Sequence, residues 1–134
     1  MNTPTQNEYL LLFRGTGWDT GLSAEQIQKV VTEWAAWFDR LTEQGKCKGA
    51  QPLRNEGKIV SGRNRIVADG PFAESKEAIG GYFLLQVDDL EEAIEIAKQC
   101  PGLEYGVAVE VRPVAEQCSA KERMEKELLA DAVA

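Results

Sequence analysis

Apolar residues alternate with a period of two in three short stretches, a pattern that predicts β-strands. The stretches are Tyr9–Arg14, Gly81–Val87 and Gly106–Arg112. In the first two stretches both faces are largely apolar, so a sheet built from them needs cover on both sides. The third alternates valines with more polar residues, and Pro113 closes it.

A helical period follows the first strand. Apolar side chains recur every three to four residues from Ser23 to about Gln44, which predicts an amphipathic helix. The serine and Gln26 have the spacing of a capping box, and Gly45 is a helix stop. Trp34 and Trp37 lie on the apolar stripe, where they serve either as core residues or as the lining of a pocket.

Two further helices are predicted in the second half of the chain. One begins at Asp88 or Asp89 and ends near Gln99, before Pro101-Gly102. The other covers Ser119–Ala132 and is highly charged, with a thin apolar seam of Met124 and Leu128.

The middle of the chain predicts a hairpin. Gly49–Arg54 and Lys58–Val67 read as strands joined by a turn at Asn55-Glu56-Gly57, and Ser61-Gly62 breaks the alternation of the second strand. We therefore expect an exposed or bulged hairpin. If this hairpin is an insertion, the order of elements is βαββαβ, which predicts an α+β, ferredoxin-like sheet with an extra hairpin and a C-terminal helix.

Two helices can cover only one face of such a sheet. The apolar second faces of Tyr9–Arg14 and Gly81–Val87 then need a partner. The simplest arrangement is a homodimer that packs sheet against sheet.

The length and the apolar runs set the class of protein. With 134 residues we expect one domain, with a core at about 8–114 and a helical extension at 115–134. No secretory signal is recognisable, and the apolar runs are far shorter than the roughly 20 residues of a membrane span. We expect a cytoplasmic protein that does not bind membranes.

Charge is unevenly distributed. A net charge of −7 argues against a nucleic-acid binder. The segment from Arg40 to Arg65 contains seven cations and two carboxylates, so its net charge is +5 and that of the remaining residues is −12. This segment is either a solvated hairpin in an acidic protein or a rim that attracts an anionic ligand.

Histidine is absent from the chain. Its absence excludes catalytic groups built on a Ser-His or Cys-His pair. The three cysteines, Cys47, Cys100 and Cys118, are widely spaced and form no CxxC pair, so we expect free thiols, no metal and no cofactor.

The densest polar chemistry lies at residues 67–81, with the sequence VADGPFAESKEAIGG. Gly70-Pro71 predicts a turn after a strand, with Asp69 able to accept hydrogen bonds from nearby amides. Gly80 and Gly81 allow the backbone to approach a neighbour closely. The stretch is either a turn with a solvated loop or the floor of a pocket.

Several segments together resemble one family. They are DGPFAESKE, GGYFLLQVDDLEEAIEIAKQCPG and VEVRPV, with the YLLLF strand and the helix that carries Trp34 near the start. This pattern is similar to the YCII-related (DGPF-type) family over about residues 9–114. The resemblance implies a dimeric ferredoxin-like α/β barrel.

The resemblance also bears on function. Most such proteins have no assigned activity. In related members a His-Asp pair has been taken as an active site, some act on products of aromatic-ring degradation, and others are encoded near sigma factors. Asp69 matches the aspartate of the motif, while the histidine has no counterpart in this chain.

These considerations give one set of candidate site residues. Asp69 is the candidate catalytic residue, a general base or an orienting group partly desolvated by Pro71 and Phe72. If their strands are neighbours, Arg14 and Arg112 lie near each other on the second face of the sheet, where paired guanidiniums suit a carboxylate. Lys76 and Glu77 can close the mouth of the pocket. The candidate ligand-binding residues are Arg14, Phe72, Lys76, Glu77 and Arg112.

Two functions remain open from the sequence. The first is a non-catalytic dimeric module that binds a small anionic ligand or a regulatory protein partner. The alternative is a small isomerase- or lyase-like enzyme that acts on a small anionic organic molecule, with Asp69 as the acid or base.

Overall fold

The computed structural model describes residues 7–70 and 77–133. A short 3-10 turn, Pro101–Tyr105, follows the second helix. The strands and helices in chain order are β1 Asn7–Arg14, α1 Ala24–Glu43, β2 Cys47–Pro52, β3 Lys58–Ser61, β4 Ile66–Asp69, β5 Ile79–Val87, α2 Leu90–Ala97, β6 Ala108–Pro113 and α3 Ser119–Val133.

Four strands form one antiparallel sheet in the order β2-β5-β1-β6. With β3 and β4 set aside, the elements that build this sheet follow the order βαββαβ. This is the strand order of the split βαβ arrangement, and it confirms an α+β fold with an antiparallel sheet.

The core lies on one face of the sheet. Tyr9, Leu11 and Phe13 of β1 are buried there, together with Phe83 and Leu85 of β5. Helices α1 and α2 cover this face with buried side chains of their own. On the opposite face the side chains of β1 are only half-buried, so the prediction of one-sided cover is confirmed.

The predicted caps of the first two helices are present. The Ser23 hydroxyl accepts a hydrogen bond from the Gln26 amide, and the Gln26 side chain accepts one from the Ser23 amide, which completes the capping box. Gly45 adopts a φ of 72° just after the helix ends, a conformation that glycine tolerates best. Asp89 caps α2 through the Glu92 amide.

A hairpin exists in this region, but its predicted strand pairing and its predicted turn were both wrong. β2 does not pair with the next strand; it pairs with β5 at the edge of the sheet. The hairpin is instead β3 with β4, and its turn covers residues 62–65, where Gly62 and Arg65 have positive φ. The interruption at Ser61-Gly62 therefore marks the turn itself, and Asn55-Glu56-Gly57 connects the hairpin to β2.

This hairpin, Lys58–Asp69, is called the arm below. Within residues 7–70 and 77–133, β3 and β4 pair with each other and pack against no other strand or helix. The C-terminal helix α3 is present as predicted, and it also packs against no other element of the described chain. None of the described helices has both the length and the apolar composition that a membrane crossing requires.

Candidate functional site

A cavity of about 550 Å³ opens between α1 and one end of the sheet. Its walls come from α1, the end of β1 with the following loop, the end of β2, the start of β5, and the residue before β6. The described residues that line it are Phe13, Arg14, Gly15, Thr16, Trp18, Val31, Trp34, Ala35, Phe38, Ala50, Gln51, Pro52, Leu53, Asn55, Gly80, Gly81, Tyr82, Phe83 and Val107.

Aromatic rings form much of this lining. Phe13 meets Trp34 and Phe83 edge to face, with ring centroids 4.9 and 5.0 Å apart. Phe38 lies 5.5 Å from Phe83. Trp37, fully buried, packs 4.9 Å from Phe83 and supports these rings from the core. Because each ring is held by others, the lining is preorganised for a flat apolar ligand.

Close packing against the 3-10 turn positions Trp34. A Cβ placed on Gly102 would lie 2.7 Å from the Trp34 ring and 2.7 Å from a Val107 methyl group. Only glycine therefore allows the turn to approach the indole this closely. On the other side of the cavity, Trp18 packs against Tyr105 of the same turn at 6.4 Å.

The paired glycines at the start of β5 have the role that the sequence predicted. A Cβ on Gly81 would meet the Gln51 carbonyl oxygen at 2.8 Å, and one on Gly80 would meet the Thr16 methyl group at 3.1 Å. Their close backbone contacts bring β2 and the loop after β1 together at the cavity, so the predicted close approach is confirmed.

The polar groups of the lining are few. Arg14 is the one charged side chain among the described lining residues, accompanied by the hydroxyls of Thr16 and Tyr82 and the amides of Gln51 and Asn55. Arg14 is about one-third exposed, and its guanidinium lies 3.4 Å from Glu110. An apolar cavity with a small number of polar groups is the usual character of a small-molecule site.

The two predicted arginines do lie near each other. β1 and β6 are neighbouring strands, and Glu110 forms ion pairs with Arg14 at 3.4 Å and Arg112 at 3.6 Å. The structure therefore places a carboxylate of the chain itself between the two guanidiniums. Of the pair, only Arg14 lines the cavity.

The other predicted residues lie elsewhere. Asp69 is at the base of the arm, where its carboxylate is three-quarters exposed and paired with Lys58. It does not line the cavity, and neither does Glu77, which is exposed. Phe72 and Lys76 lie outside the described residues. The structure thus brings Arg14 and Arg112 together, whereas Asp69 and Glu77 do not line the cavity.

The described lining holds little that could act as an acid or base or as a metal ligand. It contains no carboxylate and no thiol. Across the described ranges, no three cysteine, aspartate or glutamate side chains gather in a way that could hold a metal ion. The lining is a mainly apolar enclosure that includes Arg14 and several residues with neutral hydrogen-bonding groups.

Several lining residues were not singled out from the sequence, among them Trp18, Phe38, Gln51 and Tyr82. A signal for part of this set was present. Gly80-Gly81 predicted a close approach of backbone, and the segment it approaches contains Gln51. Trp34, for which core and pocket were both open, lines the cavity, whereas Trp37 is core.

The family model described as the YCII-related domain matches residues 12–117 of the chain. An uncharacterised protein of Rhizobium meliloti (strain 1021) is 31% identical to the chain over 98 residues, which cover 69% of this chain and 79% of that protein.

Two solved structures show a looser likeness. A 5-chloro-2-hydroxyhydroquinone dehydrochlorinase from Burkholderia phenoliruptrix, in complex with 2,5-dihydroxybenzoquinone, is matched at 13% identity with a TM-score of 0.44, over 82% of this chain and 95% of that one. A hydroxynitrile lyase from Passiflora edulis is matched at 11% identity with a TM-score of 0.38, over 86% and 99%.

Proposed function

Because this chain belongs to the YCII-related family, whose matched relative is itself uncharacterised, we propose a function from its own cavity. The protein binds a small, mainly aromatic molecule that carries one anionic group. It acts as a non-catalytic binding module and works as a dimer.

One observation supports the choice of ligand. The cavity of about 550 Å³ is walled by aromatic and aliphatic side chains, with Arg14 as the one charge among its described lining. Burial of apolar ligand surface contributes about 25 cal/mol per Å², so the ring system supplies most of the affinity. The guanidinium selects a ligand with a carboxylate or another anion, because a hydrogen bond to a charged group contributes about 1.5–3 kcal/mol.

Glu110 limits what the guanidinium contributes. It already pairs with Arg14 at 3.4 Å, a separation longer than the about 2.7–2.9 Å of a charge-assisted hydrogen bond. A bound anion therefore competes with Glu110, while Arg112 remains beside that carboxylate at 3.6 Å to compensate it. We expect a modest preference for anions over neutral molecules of the same shape.

The enzyme alternative has less support. An acid or base must come within hydrogen-bonding reach of the proton that it moves. Asp69 is exposed, paired with Lys58 and absent from the cavity lining. This position at the base of the arm fits a structural role for Asp69 better than a role in proton transfer.

The proposed dimer uses the uncovered face of the sheet. Leu10 and Leu12 of β1 lie beside Tyr82 and Leu84 of β5, and all four are only half-buried in the single chain. A second copy packed against this face would remove them from water. Since Tyr82 also lines the cavity, the second copy would border the ligand site. A regulatory partner protein is the other candidate for this face.

Titration calorimetry with two matched probes tests the ligand class. We expect 1-naphthoate to bind the wild-type protein several-fold more tightly than the neutral 1-naphthylmethanol. Arg14→Gln should remove this preference by weakening only the naphthoate, because the apolar walls are unchanged. Arg112→Gln is the comparison: Arg112 does not line the cavity and acts only through Glu110, so this variant should weaken naphthoate less than Arg14→Gln does.

The outcomes separate the parts of the proposal. If neither probe binds the wild type, the cavity is not an aromatic ligand site. If both bind equally and Arg14→Gln changes nothing, the anionic part of the proposal is wrong.

A further inference from the structure

The arm exposes aliphatic side chains on both of its faces. Val60 and Val67 are directly opposed across the two strands and are 63% and 62% exposed, and Ile66, on the other face, is 62% exposed. Ile59 is less exposed, and it lies against Gly70 at the base of the arm. A lone two-stranded hairpin is at best marginally stable in water, so these residues need a covering surface.

The arm is also a basic element in an acidic protein. Lys58, Arg63 and Arg65 are its cations, and Asp69, paired with Lys58, is its one carboxylate, so the arm has a net charge of +2. In the part of the chain that the structure describes, neither Arg63 nor Arg65 forms an ion pair. With the chain at −7, everything outside these three cations sums to −10. A surface of this same protein is therefore electrostatically attractive to the arm.

Helix α3 presents the matching uncovered surface. Met124, Leu128 and Leu129 are 49%, 61% and 67% exposed. The helix carries four carboxylates against three cations, so its net charge is opposite in sign to that of the arm. Its apolar residues are not covered by the described part of their own chain, because α3 packs on no described element.

We propose that the arm of one copy docks on α3 of a second copy, with the Val60–Val67 pair against the seam formed by Met124, Leu128 and Leu129. Arm and α3 do not contact each other within one chain, so the pairing is made between copies. In a two-fold dimer each copy supplies one arm and one helix. The contact between arm and α3 therefore occurs twice, and it covers the arm and the helix of both copies.

This inference rests on the dimer proposed above and adds a second contact to it. The base of the arm adjoins the cavity, since Leu53 and Asn55, just before the arm, line it. Docking would therefore fix the segment that forms one wall of the ligand site. Burial of the aliphatic side chains of the arm and of α3 would strengthen the dimer. The opposite net charges of the two surfaces would favour this pairing over others.

Cross-linking between introduced cysteines tests the contact. In a Cys118→Ser background, which removes the exposed native thiol, Val67→Cys is combined with Leu128→Cys and treated with a short bismaleimide. We expect a covalent dimer at a protein concentration where sedimentation shows the non-covalent dimer. The control pair, Ile66→Cys with Leu128→Cys, has equal exposure on the other face of the arm and should cross-link at least several-fold less.

A second measurement uses milder changes. Val67→Thr should raise the dimer dissociation constant about tenfold, because the lost apolar contact occurs twice in the dimer. Ile66→Thr should change it less than threefold. A dimer that shows neither the cross-link nor the Val67→Thr effect overturns the arm contact and leaves the sheet-to-sheet dimer standing. A monomer at all concentrations overturns both.

Discussion

At the scale of single residues, Cys100 shows how burial sets the chemistry of a side chain. Its thiol is 4% exposed and belongs to the core between α2 and the 3-10 turn. Burial raises the pKa of Cys100 from its ordinary value of 9.0 to about 11, because a thiolate is poorly solvated there. Cys47 is buried too, and burial also raises its pKa, whereas Cys118 is exposed.

The raised pKa of Cys100 predicts a loss of stability in alkali. Between pH 9 and pH 11 the unfolded chain loses the thiol proton while the folded protein keeps it, so stability falls as the pH rises. From pH 8.5 to pH 10.5, urea unfolding of the wild type should therefore lose about 2 kcal/mol more than that of Cys100→Ala. Identical losses in the two proteins would contradict the buried thiol as the cause.

Site residues were only partly predictable from the sequence, and the reason is physical. Strand alternation put Arg14 and Arg112 near each other on condition that their strands are neighbours, and the structure shows that β1 and β6 are. The position of Glu110 between them depends on side-chain distances that periodicity does not encode. Asp69 was predicted to be a general base or an orienting group, partly desolvated by Pro71 and Phe72, but it ends a strand of the arm that is exposed throughout.

At the scale of elements, the 3-10 turn fixes one wall of the cavity by packing against α1. Gly102 is buried, and an added methyl group would press on both Trp34 and Val107. Overpacking of this kind usually costs about 1–3 kcal/mol. The position of Trp34, and with it the shape of the cavity, therefore depends on a residue that does not line the cavity.

Gly102→Ala should lower the free energy of unfolding by about 1–3 kcal/mol and shift the tryptophan fluorescence, because the indole of Trp34 must move. Gly49→Ala is the matched control, since its added methyl group meets nothing within 4 Å and its φ is not positive. Chemical denaturation followed by fluorescence gives both quantities. A Gly102→Ala protein as stable as Gly49→Ala, with an unchanged spectrum, would refute the packing argument.

The elements themselves were largely predictable. Caps and helical periods located α1 and α2 because those signals are local, and alternation located β1, β5 and β6 for the same reason. The arm was harder, since two glycine-containing segments, at Gly57 and at Gly62, competed as turns. The choice was settled by the pairing of β2 with β5, a contact between distant parts of the chain.

At the scale of the whole molecule, the half-buried face of the sheet predicts association. Leu84→Glu would place a charge in the middle of the proposed interface and should convert the dimer to a monomer, since an unpaired charge is costly to bury. Leu103→Glu is the control because Leu103 is exposed on the 3-10 turn, outside the strands of the sheet. Sedimentation velocity measures both variants; a Leu84→Glu dimer as tight as the Leu103→Glu dimer would rule out this interface.

The central claim is that the cavity beside α1 binds an aromatic ligand. Ala35 lines the cavity and is exposed, while its neighbour Ala36 is exposed but does not line it. Titration calorimetry of 1-naphthoate into Ala35→Trp and Ala36→Trp compares the same substitution at adjacent positions of one helix. We expect wild-type affinity for Ala36→Trp and at least a tenfold loss for Ala35→Trp, whose indole fills the cavity; equal affinities in the two variants would show that naphthoate binds elsewhere.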